Sequence, residues 1–145
     1  MRILKKIGDL ESMKRKEILE SLKLQIKKGN RIIGVATGSG MTAKHAQNAG
    51  ADFLLMLNSG RFRQMGRSSL AGFLPFCNSN DMVMDFSSKE IIPLVKDIPI
   101  IFGLNATDPT KNMDSYIDEI INAGFSGINN YPTIGIIDGQ FREAF

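Results

Sequence analysis

Apolar residues in the first part of the chain recur at helical spacing and then contract into short continuous runs. Ile18, Leu22 and Ile26 stand at i, i+4 and i+8 with Leu19 alongside, which predicts an amphipathic helix over 10–28. Lys27 and Lys28 fall in its last turn, and Gly29-Asn30 ends it. From Arg31 to Ala36 the pattern turns almost wholly apolar, as in a strand buried on both faces of a parallel sheet. Thr37-Gly-Ser-Gly-Met41 reads as a loop, Thr42 as the cap of a short helix reaching Asn48, and Asp52 to Leu57 as the second strand. Residues 58–80 form a long polar stretch, of the kind that is functional or holds short helices of its own. Ser79 or Asn80 caps a helix over 81–94, and Pro99 to Leu104 is the third strand. Asp108 is placed to cap a helix with Pro109 at its first position. Met113, Ile117, Ile120 and Ile121 share one face of a helix from Asn112 to Ala123. A fourth strand over 125–129 follows, and residues 134–141 lead into another loop.

Two segments repeat. Ile32 to Thr37 parallels Ile100 to Asn105, and Asn48 to Phe53 parallels Asn122 to Gly127. Strand–helix units in succession predict an α/β fold with a parallel sheet, either part of a barrel or a doubly wound sheet. The chain divides into a basic amphipathic helix over 1–30 and a β/α unit over 31–145. At 145 residues it falls short of the ~250 that a complete eight-stranded barrel needs.

Composition narrows the picture further. An apolar content of 43% with nine Phe supplies a core and excludes global disorder. No run approaches the ~18–20 apolar residues of a membrane span. Met1 to Lys6 has charge but no apolar stretch with a cleavage site, so no signal peptide is expected. The single cysteine, Cys77, forbids an internal disulfide and suits a reducing cytoplasm. Its apolar neighbours predict a packing role, and the eight Met read as core filler. The pI of about 9.1 has a local origin. Residues 1–31 hold ten basic residues against four acidic ones, whereas the remainder holds eight against eleven. That segment has no Phe, Tyr or Trp to stack on a base, so its charge reads as a solvated helix face. Neither a nucleic-acid nor a membrane partner is expected.

Ligands of parallel α/β folds sit at the carboxyl ends of the strands. Those ends carry Thr37, Gly38, Ser39 and Gly40; Asn58, Ser59, Gly60, Arg61 and Arg63; Asn105, Thr107 and Asp108; and Asn129, Asn130, Tyr131, Pro132 and Thr133. Thr37-Gly-Ser-Gly40 is either an anion cradle at a helix N-terminus or a tight turn; it matches neither the dinucleotide fingerprint nor the P-loop. Arg61, Arg63 and Arg67 suit a carboxylate or phosphate, or ion pairs that hold the loop. Asp108 is a general base, a metal ligand or a cap. Lys44 stands early enough in its helix to reach an anion, and His45 reads as structural. One His and no G-x-S-x-G exclude a Ser-His-Asp constellation, and no paired-His or Cys/His metal signature is present.

Five ordered strings resemble the phosphoenolpyruvate hydrolase-like family of TIM-barrel proteins, also described as signal-transduction proteins. They are Gly34-Val-Ala-Thr-Gly-Ser-Gly-Met-Thr-Ala-Lys44, Asn58-Ser-Gly-Arg-Phe-Arg63, Gly66-Arg-Ser-Ser-Leu-Ala-Gly72, Thr107-Asp-Pro109 and Asn130-Tyr-Pro-Thr-Ile-Gly-Ile-Ile-Asp-Gly139. The family is related to the phosphoenolpyruvate mutase/isocitrate lyase superfamily. The resemblance implies the N-terminal half of a TIM (β/α)8 barrel, with a pocket for a phosphoenolpyruvate- or 2-oxo-acid-like anion at Thr37–Gly40, Asn58–Arg61 and Asn130–Thr133. It implies hydrolase or lyase chemistry in a complete barrel, with Asp108, Lys44 and Arg61 as catalytic candidates. The alternative is a non-catalytic ligand-sensing or scaffold domain. The superfamily uses Mg2+ held by a pair of Asp after strand three, where this chain has Asn105-Ala-Thr-Asp108. Four strands imply a partner, either a second half-barrel chain or another copy in a homo-oligomer.

Overall fold

A computed structural model describes residues 14–133 and 138–143. Four parallel strands pair in chain order: β1 (Gly34–Thr37), β2 (Phe53–Met56), β3 (Ile100–Leu104) and β4 (Gly127–Asn130). Around them run α1 (Arg15–Lys27), α2 (Gly40–Asn48), α3 (Asn58–Gln64), α4 (Ser79–Phe86), α5 (Met113–Asn122) and α6 (Gln140–Glu143). The long polar stretch over 58–80 does hold short helices, α3 and a 3-10 turn, Ser69–Phe73. The helix expected over 81–94 starts earlier and continues beyond α4 as a π-helical turn, Ser87–Ile91.

Caps and strand starts differ from the predicted ones by a few residues. Ser39, not Thr42, caps α2, and its hydroxyl accepts the Thr42 N–H at 3.4 Å. Asn78, not Ser79 or Asn80, caps α4. Asn112 caps α5, so Pro109 lies in a turn ahead of that helix. Regular pairing of β1 begins at Gly34, because the Ile33 N–H goes to the Asp52 carboxylate at 2.8 Å. The beginning of the first predicted helix and residues 134–137 lie outside the described residues; within the last expected loop, α6 forms from Gln140.

Side chains alternate across the strands, and the two faces of the sheet differ. Leu54, Met56, Ile100, Phe102 and Leu104 are buried against the helices, with Ala43 of α2, Val83 and Phe86 of α4, and Tyr116 and Ile120 of α5. Phe102 meets Tyr116 and Phe125 edge-on, with ring centroids 6.1 and 4.9 Å away. The intervening Phe53, Leu55 and Ile101 are only half-buried. Burial on both faces was the expectation; among the described residues only one face is covered. β1 and β4 each pair on one side only, so the described sheet is open.

Helix α1 buries no side chain. Ile18 and Leu22 face Ala51, Asp52, Ile98 and Pro99, the residues that lead into β2 and β3. The basic helix therefore sits at the amino ends of the strands, away from their carboxyl ends. Among the described residues no helix is long and apolar enough to cross a membrane.

At the other end of β1, backbone lies directly on backbone. A Cβ on Gly38 would collide with the backbone of Gly60 and Arg61, and one on Gly60 would lie 2.6 Å from the Thr37 carbonyl oxygen. No side chain fits between the end of β1 and α3. Gly38→Ala is expected to lower stability by about 3 kcal/mol through overpacking, seen as a lower urea midpoint at unchanged slope. Gln64→Ala on the exposed surface should stay within about 0.5 kcal/mol.

Candidate functional site

The loops after β2, β3 and β4 converge on a cavity of about 590 Å3. Its walls are Asn58, Phe62 and Gly72, the run Phe73–Ser79, Asn105, Thr107–Thr110, Pro132 and Thr133. Six predicted site residues meet here: Asn58, Asn105, Thr107, Asp108, Pro132 and Thr133. A volume of this order is typical of small-molecule pockets, which span ~300–1,000 Å3.

Asp108 anchors one wall and is only 6% exposed. Oδ2 accepts from Asn78 Nδ2 at 2.7 Å and Asn80 Nδ2 at 3.0 Å. Oδ1 accepts from the Thr110 hydroxyl at 2.6 Å and its N–H at 2.9 Å. Burial pushes the carboxyl pKa up, but the bonds from Thr110, Asn78 and Asn80 outweigh it and hold the pKa at about 2, below the ordinary 3.8. Asp108 is thus ionised with both oxygens doubly occupied. It caps the turn at Thr110 and does not begin a helix.

Asn78 and Asn80 were not among the predicted site residues. Asn78 Oδ1 caps α4 through the Asp81 N–H at 3.1 Å while its amide serves Asp108. Asn80 is fully buried; it accepts the Asn105 N–H at 2.8 Å and donates to the Asn105 carbonyl at 3.1 Å. The only sequence signal was the helix-start pattern Asn78-Ser-Asn80, which reads as capping. Asn58 is also buried: its amide donates to the Gly72 carbonyl at 2.8 Å and its Oδ1 accepts the Ser59 N–H at 2.7 Å. Among the described residues, Ser79 Oγ and Asn105 Nδ2 make no hydrogen bond, which leaves them as donors on the wall. Cys77, expected in packing, is exposed on the same wall.

Of the predicted residues at the end of β1, Ser39 and Gly40 border a different hollow, of about 600 Å3, with Met41, Met65, Glu90 and Leu94. Arg61 is committed there. Its guanidinium donates to the Gly38 carbonyl at 2.9 Å, pairs with Glu90 at 3.0 Å and lies over the Phe86 ring. The Glu90 carboxylate also accepts the Gly40 N–H at 3.4 Å, so an internal anion meets both Arg61 and the start of α2. Thr37 is buried and bonds with Ser39. Ser59 and Gly60 are buried in the first turn of α3. Arg63 donates to Ser69 at 2.9 Å, while Arg67, Lys44 and Asn130 are exposed and border neither hollow. Met41 and Met65 are 71% and 57% exposed, so they do not fill the core as expected.

A divalent ion of the kind the resemblance implies finds no cage in these residues. Among the described residues no three His, Cys, Asp or Glu cluster, and both Asp108 oxygens already hold donors. What the cavity offers is shape, neutral hydrogen-bonding groups and an apolar wall.

Residues 17–145 match a family model described as phosphoenolpyruvate hydrolase-like. Two proteins of Solanum lycopersicum, "ToMV resistance protein Tm-1(GCR237)" and "ToMV susceptible protein tm-1(GCR26)", are each 45% identical over 130 residues. That match is 90% of this chain and 17% of each tomato protein. A Sinorhizobium fredii protein, "Putative transcriptional regulatory protein y4pA", is 43% identical over 129 residues, 88% of this chain and 21% of its own length. The chain therefore spans about a fifth or less of the curated relatives it matches.

The pKa of Asp108 gives a signed pH dependence. Its folded value is depressed, so its stabilisation is complete above about pH 4 and is lost as pH falls toward about 2. The contribution is about 2 kcal/mol. Asp108→Asn should be less stable than the parent at neutral pH by about that amount, and the gap should close in acid. Urea titrations of both proteins across that range check it.

Proposed function

The chain belongs to the phosphoenolpyruvate hydrolase-like family, and from that membership we propose that it is the ligand-binding half of a β/α barrel. It holds a small 2-oxo-acid- or enolpyruvate-like carboxylate over the ends of β2, β3 and β4, and by itself does not turn it over. The observation that carries this reading is convergence: residues from three separate loops, named as strand-end candidates by the sequence, line one cavity. Four parallel strands with one covered face and two open edges fit half of a closed eight-stranded barrel. The other half comes from a second chain, another copy or the remainder of a longer protein.

The polar side chains around the strand ends divide the work. Ser79 Oγ and Asn105 Nδ2 are free to donate to a carboxylate. Asp108 orients the wall through Asn78 and Asn80. A general base works best with a pKa near the working pH, and one held at about 2 with every acceptor position filled takes protons poorly. Arg61, engaged with Glu90, holds the loop after β1 in place. Regulation of a larger protein by ligand occupancy suits relatives several times longer than this chain, one of which is named as a regulatory protein.

A catalytic reading, hydrolase or lyase action on phosphoenolpyruvate-like substrates in a complete barrel, is favoured by the family's own description. Calorimetry with phosphoenolpyruvate, oxaloacetate and oxalate, with and without Mg2+, tests the proposal. At least one should bind, with an affinity indifferent to Mg2+, and no product should accumulate. Asn105→Asp, which keeps the acceptor for Thr107 but replaces the donor with charge, should weaken binding about tenfold or more. Failure of all three acids to bind, to this chain and to a full-length relative, sinks the binding reading. Release of pyruvate from phosphoenolpyruvate by a complete barrel moves the conclusion to the enzyme.

A further inference from the structure

The cavity is larger and less charged than a three-carbon phosphorylated acid requires. Its volume of about 590 Å3 is several times what such an acid fills. No Lys, Arg or His is among the described residues that line it. Among the described residues the one ionised group on its wall is Asp108, whose charge repels an anion. A phosphate dianion and a carboxylate together would thus meet no cation and one carboxylate.

The surplus room has aromatic and aliphatic walls. Phe62 and Phe76 face each other with ring centroids 6.3 Å apart at 57°. Phe73 is edge-on to Tyr131 at 5.5 Å. Phe76 and Leu74 remain 69% and 45% exposed, a large apolar area left uncovered at a cavity mouth. The uncommitted polar donors, Ser79 and Asn105, belong to the same cavity. A polar end beside a ring-lined end matches a ligand that has both.

We infer that the ligand is a singly charged 2-oxo acid bearing an aromatic group, with its ring against Phe62, Phe73 and Phe76, and not a phosphorylated three-carbon acid. This rests on the proposed strand-end site and names its ligand class. The carboxylate and 2-oxo group take the donors of Ser79 and Asn105, and only one negative charge faces Asp108. Ring–ring contacts add to the burial of the substituent itself.

Calorimetry of the whole chain with pyruvate, phenylpyruvate and phosphoenolpyruvate tests it. Phenylpyruvate should bind about tenfold or more tighter than pyruvate, and phosphoenolpyruvate should be the weakest of the three. Phe76→Ala, at an exposed position that a fold tolerates, should remove most of the phenylpyruvate advantage and leave pyruvate unchanged. Phe62→Leu is the second variant, with thermal melts of both checking the fold. Equal affinity for pyruvate and phenylpyruvate, or tighter binding of phosphoenolpyruvate than of phenylpyruvate, overturns the inference and leaves the site itself standing. Binding of none of the three removes the site and the inference together.

Discussion

The buried Asp108 carboxylate ties the loop after β3 to the first turn of α4, and the shape of the strand-end cavity depends on it. An ionised carboxylate this buried is costly unless its oxygens are satisfied. Here four donors from three residues satisfy them. The same donors hold other elements. Asn78 also caps α4, Asn80 takes both backbone groups of Asn105, and the Tyr116 hydroxyl of α5 donates to the Asn80 carbonyl at 3.3 Å. Asp108, Asn78 and Asn80 together therefore tie the end of β3, α4 and α5 to one another. The group that looks most like a catalytic acid or base also holds the architecture together.

A second constraint governs the opposite side of the strand ends. The close approach of Gly38 to α3 leaves no room for a side chain, and Arg61 reaches from that helix back to the Gly38 carbonyl and on to Glu90. The glycines of the loop after β1 serve backbone contact, and the anion at the start of α2 is the protein's own Glu90. Charge that resembles a ligand clamp from the sequence is balanced internally. The cavity beside Asp108 is left with neutral donors and aromatic walls. The family description points to enolpyruvate chemistry, whereas the described lining of this cavity holds no Lys, Arg or His.

Much of the fold was legible along the chain. β1, β2 and β3 are each marked by a short apolar run, and α5 by Met113, Ile117, Ile120 and Ile121 at helical spacing. Misplacements occurred where several capping residues stand close together. Ser39 and Thr42 both suit the start of α2, and Asn78, Ser79 and Asn80 all suit the start of α4. The choice falls to whichever residue is extended where the chain turns into the helix, as Ser39 and Asn78 are. Asp108 ahead of Pro109 reads as a helix cap by the same local rule. Its carboxylate does cap a backbone N–H, that of Thr110, but in a turn whose helix begins later, at Met113.

The sequence by itself determined the succession of parallel β/α units and the placing of polar residues at the strand ends, since both follow from short-range periodicity and from apolar strands needing cover. It also confined the basic surplus to the first helix, now seen at the far end of the sheet from the cavity. Only the tertiary structure decided which polar ends share a cavity and which are spoken for. Arg61 meets Glu90 from 29 positions away, and Asp108 meets Asn78 and Asn80 from 30 and 28. Such pairings leave no periodic trace in the chain, because they arise when helices pack over the sheet and buried charges must find partners.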